Sequence, residues 1–156
     1  MTSPAEPLAP LIKTIGVPLA PTDAFDLFTN GLARWWPLAT HSVGEAEAVD
    51  CAIEGRVGGR ILERDGDGSE HVWGTVEDWE SPHRLAFSWH PGRPADSAQK
   101  IDVRFDAAAH GGTTITLVHA GWDALGERAA AMRSGYDSGW DFVLGEFVET
   151  AASDRR

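Results

Sequence analysis

Cysteine is nearly absent: Cys51 stands alone in 156 residues, which excludes an intramolecular disulfide framework and a cysteine-rich metal site. Basic residues are scarce as well. Thirteen Lys and Arg face 24 Asp and Glu, giving a formal charge of −11. Binding phosphate takes clustered Lys and Arg, and the closest thing to a cluster is Arg155-Arg156, so nucleic acid and anionic membrane are excluded as partners. No stretch approaches the roughly 18 apolar residues of a membrane span. There is no Gly-x-Ser-x-Gly elbow, and the glycines at 55, 58 and 59 lead into a strand rather than a helix, so they form no phosphate loop. Six histidines are present, but no pair has the i, i+4 helical spacing of a zinc site. No metal and no cofactor are expected. Met1 to Pro10 lacks the cationic-then-apolar order of a signal peptide and reads as a loose leader, with the cytoplasm as the default address. Residues 11–152 then form a single domain and 153–156 a tail.

What remains reads mostly as strand. Leu11 to Val17 alternates and stops at Pro18. Thr22 stands where an N-cap would precede Phe25, Phe28 and Leu32 at helical spacing, in a short helix ending near Asn30-Gly31. Trp35 and Trp36 follow, and two adjacent indoles cannot both face inward, so one belongs to the core and the other to an opening. Ala48 to Glu54 is a strand. Arg60 to Arg64 and His71 to Trp79 form a hairpin around Asp65-Gly66-Asp67-Gly68. Arg84 to His90 places Leu85, Phe87 and Trp89 on one face, and Lys100 to Ala107 does so with Ile101, Val103 and Phe105. Thr113 to Ala120 points Ile115, Leu117 and His119 the same way, and the loop Gly121 to Gly126 carries Trp122.

The last stretch, Arg128 to Ala152, is the one long helix. Tyr136, Trp140, Val143, Leu144, Phe147 and Ala151 recur at intervals of three and four and form an apolar stripe. Tyr136 and Trp140 mark its cavity end. Gly135 and Gly139 beside them loosen the first turns by about 1 kcal/mol each relative to Ala. Phe142 falls about 160° from the centre of the stripe, where it is a candidate homodimer contact. Regular strands with one early and one late helix predict an α+β fold, an antiparallel meander packed on the long helix.

Several spaced motifs resemble a known family. Phe28-Thr29-Asn30-Gly31, Arg34-Trp35-Trp36-Pro37 and Gly58-Gly59-Arg60 with Glu63 and Arg64 come first. Trp73-Gly74-x-Val76, Ser81-Pro82-x-Arg84-Leu85-x-Phe87-Ser88-Trp89, His119-x-Gly121-Trp122 and Tyr136-x-x-Gly139-Trp140 follow. In this order they resemble the SRPBCC (START-like) superfamily over roughly residues 11 to 150. Within it, the chain is similar to the bacterial branch related to the C-terminal domain of the activator of the heat-shock-chaperone ATPase. The resemblance implies a helix-grip fold, a curved antiparallel sheet wrapped round a long C-terminal helix and enclosing a pocket. Lipid carriers, hormone-binding proteins and aromatic-polyketide cyclases belong to the superfamily, so it narrows the class without choosing a reaction.

The aromatic set carries the functional expectation. Trp35, Trp36, Trp73, Phe87, Trp89, Val103, Phe105, Leu117, His119, Trp122, Tyr136 and Trp140 are the candidate lining of a cavity for an apolar or aromatic small molecule. Each is also a residue that fills the core of a small domain. His119 reads in two ways: as an inward imidazole able to orient a ligand or move a proton, with Tyr136 as partner, or as a core histidine bonded internally. His41 and His71 are second candidates, at the mouth of the pocket, while His83 and His110 fall in solvated turns. Glu63, Glu77 and Asp78 read as cross-strand partners of Arg60, Arg64 or Arg84, and Cys51 as a buried, inert thiol. Three functions stay open: a ligand-binding protein, a cyclase- or hydrolase-like enzyme using His119, and a chaperone-associated interaction module.

Overall fold

The structure is a computed structural model that describes residues 8–154. Most of the expected leader, and Arg155-Arg156 of the tail, lie outside the described residues. Among the described residues seven strands form one antiparallel sheet in the order β1-β7-β6-β5-β4-β3-β2. They are β1 (Leu11–Val17), β2 (Ala48–Ile53), β3 (Arg60–Asp65), β4 (Glu70–Glu80), β5 (Arg84–Trp89), β6 (Gln99–Ala107) and β7 (Thr113–Ala120). All but β1 run as a meander, and β1 closes the far edge on β7. Helices α1 (Pro21–Thr29) and α2 (Leu32–Trp35) follow β1, and the long α3 (Ala129–Ser153) ends the fold. The α+β helix-grip expectation is met. No helix among the described residues is long and apolar enough to cross a membrane.

Alternation builds the inner face of the sheet. Leu85, Phe87 and Trp89 on β5, Ile101, Val103 and Phe105 on β6, and Ile115, Leu117 and His119 on β7 are all buried. Against them α3 lays Trp140, Val143, Leu144, Phe147 and Ala151. One end of the core is phenyl-rich: Phe28 meets Phe105 and Phe147 at 5.6 Å, and Trp35 meets Phe147 at 4.9 Å. The other end is indole-rich: Trp36 and Trp89 contact each other and both Trp73 and Trp140 at 5.0–6.0 Å.

Two local expectations are corrected. Helix α1 begins at Pro21 with Ala20, not Thr22, as its N-cap, because the fixed φ and missing N–H of proline suit the first helical position. The segment after Gly121 is a 3-10 turn over Trp122–Arg128 rather than an open loop. In β1, Ile12 points outward at 63% exposure, while Lys13 turns toward α3 and pairs with Asp137 and Asp141.

β4 departs from simple alternation twice. Its pairing with β3 slips between Ile61 and Leu62, leaving Trp73 as the extra residue, and its pairing with β5 slips between Val76 and Asp78, leaving Glu77. Such bulges bend a strand and re-aim the side chain at the kink. Trp73 accordingly points inward and is 1% exposed.

Candidate functional site

Adjacent indoles begin the site. Trp35, the last residue of α2, is buried and donates its Nε1–H to the carbonyl of Leu27 at 3.1 Å. Trp36 leaves the helix in an extended conformation and turns the other way, donating Nε1–H to the carbonyl of His41 at 2.7 Å. It forms one wall of a cleft of about 370 Å³. Trp89 at the end of β5 forms another. Tyr136, Gly139, Trp140 and Val143 come from one face of α3, at the i, i+3, i+4, i+7 spacing that stacks residues along a helix. Residues 41–43 border the remaining side.

That loop is held by a buried carboxylate. Glu63 is fully buried and accepts three N–H groups: Val43 N at 2.5 Å, Gly44 N at 2.9 Å and Trp73 Nε1 at 2.7 Å. The expectation of a half-exposed cross-strand pair for Glu63 is therefore overturned. The slip in β3–β4 pairing swings Trp73 onto it, and the loop caps it. Asp78 does pair as expected, with Arg84 at 3.1 Å, in a network that includes Glu80 and Asp102.

Glu63 also lies directly across β3–β4 from His71. With Asp65 they bring three potential ligand atoms within 4.8 Å of one another. His71 Nε2 sits 2.9 Å from Asp65 Oδ2, and this hydrogen bond raises the imidazole pKa above its ordinary value. Asp65 Oδ1 is buried without a hydrogen-bond partner among the described residues and faces Gly44, where an added Cβ would come within 2.2 Å of it. A search for histidines spaced on helices could not find this cluster. The hairpin register around Asp65-Gly66-Asp67-Gly68 is the signal that would have. Cys51 is buried, and burial, then Asp50 and Glu63, push its thiol up to about 12, so it stays protonated and inert.

The expected lining residues divide into three groups. Trp36, Trp89, Tyr136 and Trp140 border the cleft. Trp73 and Phe87 sit behind them around an inner void of about 10 Å³, too small for a ligand. Trp35, Val103, Phe105, Leu117, His119 and Trp122 are buried and do not border the cleft. His41 does border it, and its ring stacks on Phe142 at 4.9 Å and 11°. Phe142 is 50% exposed.

His119 has the internal partners of a core histidine. Trp140 donates Nε1–H to its Nδ1 at 2.9 Å, so the ring proton belongs on Nε2, which faces Gln99 Oε1 at 3.4 Å. Trp122 stacks on the ring at 4.1 Å and donates its own N–H to the His119 carbonyl. Burial, and secondarily the Arg93 charge, lower its pKa to about 3, so the imidazole is neutral at physiological pH.

Arg93 escaped the sequence reading altogether. It lies just past the turn Pro91-Gly92, in which Gly92 takes φ +71° and Arg93 N–H returns to the carbonyl of His90 at 2.9 Å. Its guanidinium reaches Ser97 O at 3.3 Å, Gln99 Oε1 at 3.1 Å and the Tyr136 hydroxyl at 3.1 Å. Arg93 and His71 border a second, shallower depression that meets the cleft at Val43 and Gly92. The turn glycine, followed by Arg between two prolines, was the available cue.

Residues 18–152 match the family model described as "Activator of Hsp90 ATPase homolog 1-like protein". No curated protein matches. Among solved structures, the anthrahydroquino-gamma-pyrone synthase Txn09 is similar at 30% identity, covering 92% of this chain and 97% of that one, with a TM-score of 0.63. CalC from Micromonospora echinospora, a self-sacrificing resistance protein, is similar at 27% identity over 92% of this chain and 94% of its own, with a TM-score of 0.68. The Aha1 dimer from Colwellia psychrerythraea shares the fold at 16% identity, covering 92% and 96% of the two chains, with a TM-score of 0.67.

Proposed function

Because the chain belongs to the Activator of Hsp90 ATPase homolog 1-like family, whose fold supports many functions, we propose a role from its cleft: it binds a flat apolar or aromatic small molecule there. One observation carries the reading. Three indoles and a phenol converge on about 370 Å³ of open space, although large aromatic side chains ordinarily fill such space themselves. Flat rings gain both apolar burial and ring-to-ring contact on such walls. The similar synthase at 30% identity, whose name specifies a fused aromatic product, supports a planar ligand.

A cyclase-like reaction in the same cleft is the second reading, and the same synthase favours it. In that case Tyr136 is a polar group at the cleft, and His119 acts only through Trp140 and Gln99. The chaperone-associated reading rests on the family's description alone. For protein partners, the finer proposal is a homodimer through the exposed face of Phe142.

Isothermal titration with anthraquinone-2-carboxamide, an uncharged planar probe, tests the binding reading. The wild type is expected to bind it saturably. Gly139→Leu should weaken binding about tenfold or more by filling the cleft. A Cβ at 139 meets nothing within 4 Å, so folding should be retained. Absence of binding by the wild type, or equal binding by the folded variant, would refute the assignment.

A further inference from the structure

Two polar groups at the junction of the cleft and the shallower depression have unused donor capacity. Tyr136 Oη accepts one N–H from Trp89 Nε1 at 3.2 Å and another from Arg93 Nη2 at 3.1 Å. Those two bonds occupy both lone pairs of a phenolic oxygen, so its own proton points away from them and is available for donation. The ring that carries it borders the cleft.

Arg93 is the second group. Its acceptors are the Ser97 carbonyl, the Gln99 amide oxygen and the Tyr136 hydroxyl, all of them neutral. Three of its five N–H groups are thereby used, and two remain. Among the described residues no carboxylate lies within 4.0 Å of this guanidinium, in a chain with eleven more acidic than basic residues. The acid that does border the same depression, Glu70, is engaged by Arg64 at 3.3 Å and Arg60 at 3.7 Å. The turn at Pro91-Gly92 holds the Arg93 backbone, with His90 Nδ1 3.1 Å from its carbonyl oxygen. The cation is half-buried, fixed in place and, among the described residues, without a counter-ion of its own.

We propose that the ligand is an aromatic acid: its ring system lies on Trp36, Trp89 and Trp140, and its anionic oxygen, a carboxylate or ionised phenol, is bound by Arg93 and Tyr136 where the two depressions meet. The proposal rests on the binding role above and adds the chemical class. A neutral ligand covering this site would strip water from an unpaired guanidinium without replacing it. An oxyanion would replace that water with charge-assisted hydrogen bonds, roughly twice as strong as neutral ones. Recognition is therefore divided between stacking, which any planar ring satisfies, and charge, which selects among rings.

The test compares anthraquinone-2-carboxylate with anthraquinone-2-carboxamide by isothermal titration, on the wild type, Arg93→Gln and Arg93→Lys. The wild type should favour the carboxylate by about tenfold, and the ratio should shrink in high salt. Arg93→Gln should bring the ratio to within about twofold while carboxamide affinity holds, and Arg93→Lys should restore part of the preference. Equal binding of both probes by the wild type overturns the acid assignment and leaves the cleft assignment standing. Failure of both probes to bind overturns both. A ratio that survives in folded Arg93→Gln also overturns it. The wild-type comparison and its salt dependence decide the matter even where a variant does not fold.

Discussion

Glu63 and His119 show opposite uses of a buried polar side chain. Glu63 accepts N–H groups from the loop and from Trp73, so Glu63→Gln would set an amide N–H against one of those donors. A cost of about 1–3 kcal/mol in urea unfolding is expected, together with weaker probe binding as the loop at 41–44 loosens. His119 titrates at about 3 in the folded protein, against an ordinary value near 6.5. The unfolded chain takes up that proton first. The contribution of this residue is thus complete above about pH 6.5 and declines as pH falls toward 3, by about 1.4 kcal/mol per unit. Comparing the pH dependence of unfolding for the wild type and His119→Gln isolates the effect, and equal slopes would sink it. His71 has the opposite sign. Its folded pKa is raised by Asp65, so the stability it lends is complete below about pH 6.5 and is lost as pH rises through the folded value. An NMR titration of its ring protons should give a midpoint above that of a free imidazole.

Among the elements, α3 makes the most direct prediction. A Cβ at Gly135 meets nothing within 4 Å and would remove a helix-weakening residue. Gly135→Ala should raise stability by about 1 kcal/mol, read as an increase in Tm. The long helix and the strands were legible in the sequence to within a residue at each end, because a period of two, a period of 3.6 and glycine turns are local signals. The failures fall where locality ends. The slip at Trp73 in β4 depends on the strand beside it, and with it came the misplacement of Glu63. The cleft was legible only in part. Tyr136 and Trp140 lie on a periodic helix face and were visible, and His41 was named for the mouth, whereas Arg93 and residues 42–44 belong to irregular backbone that no period encodes. His119 was correctly placed on the inner face, but which of its neighbours would close around it is a matter of tertiary packing.

At the scale of the whole molecule, the family fixes the fold and leaves association and ligand to the surface. If Phe142 is the homodimer contact, light scattering should report twice the chain mass, and Phe142→Glu should halve it. A wild-type monomer at high concentration would remove that proposal. The indole-rich end of the core has an optical consequence. Trp36 and Trp89 lie with ring centroids 5.0–6.0 Å from each other and from Trp73 and Trp140, close enough for excitation to pass freely among the four. They should therefore emit as one coupled antenna, and an energy-accepting guest seated against Trp36 would darken all four at once. Loss of intrinsic emission should then exceed what quenching of a single indole can produce, and the protein would signal its own occupancy without a label.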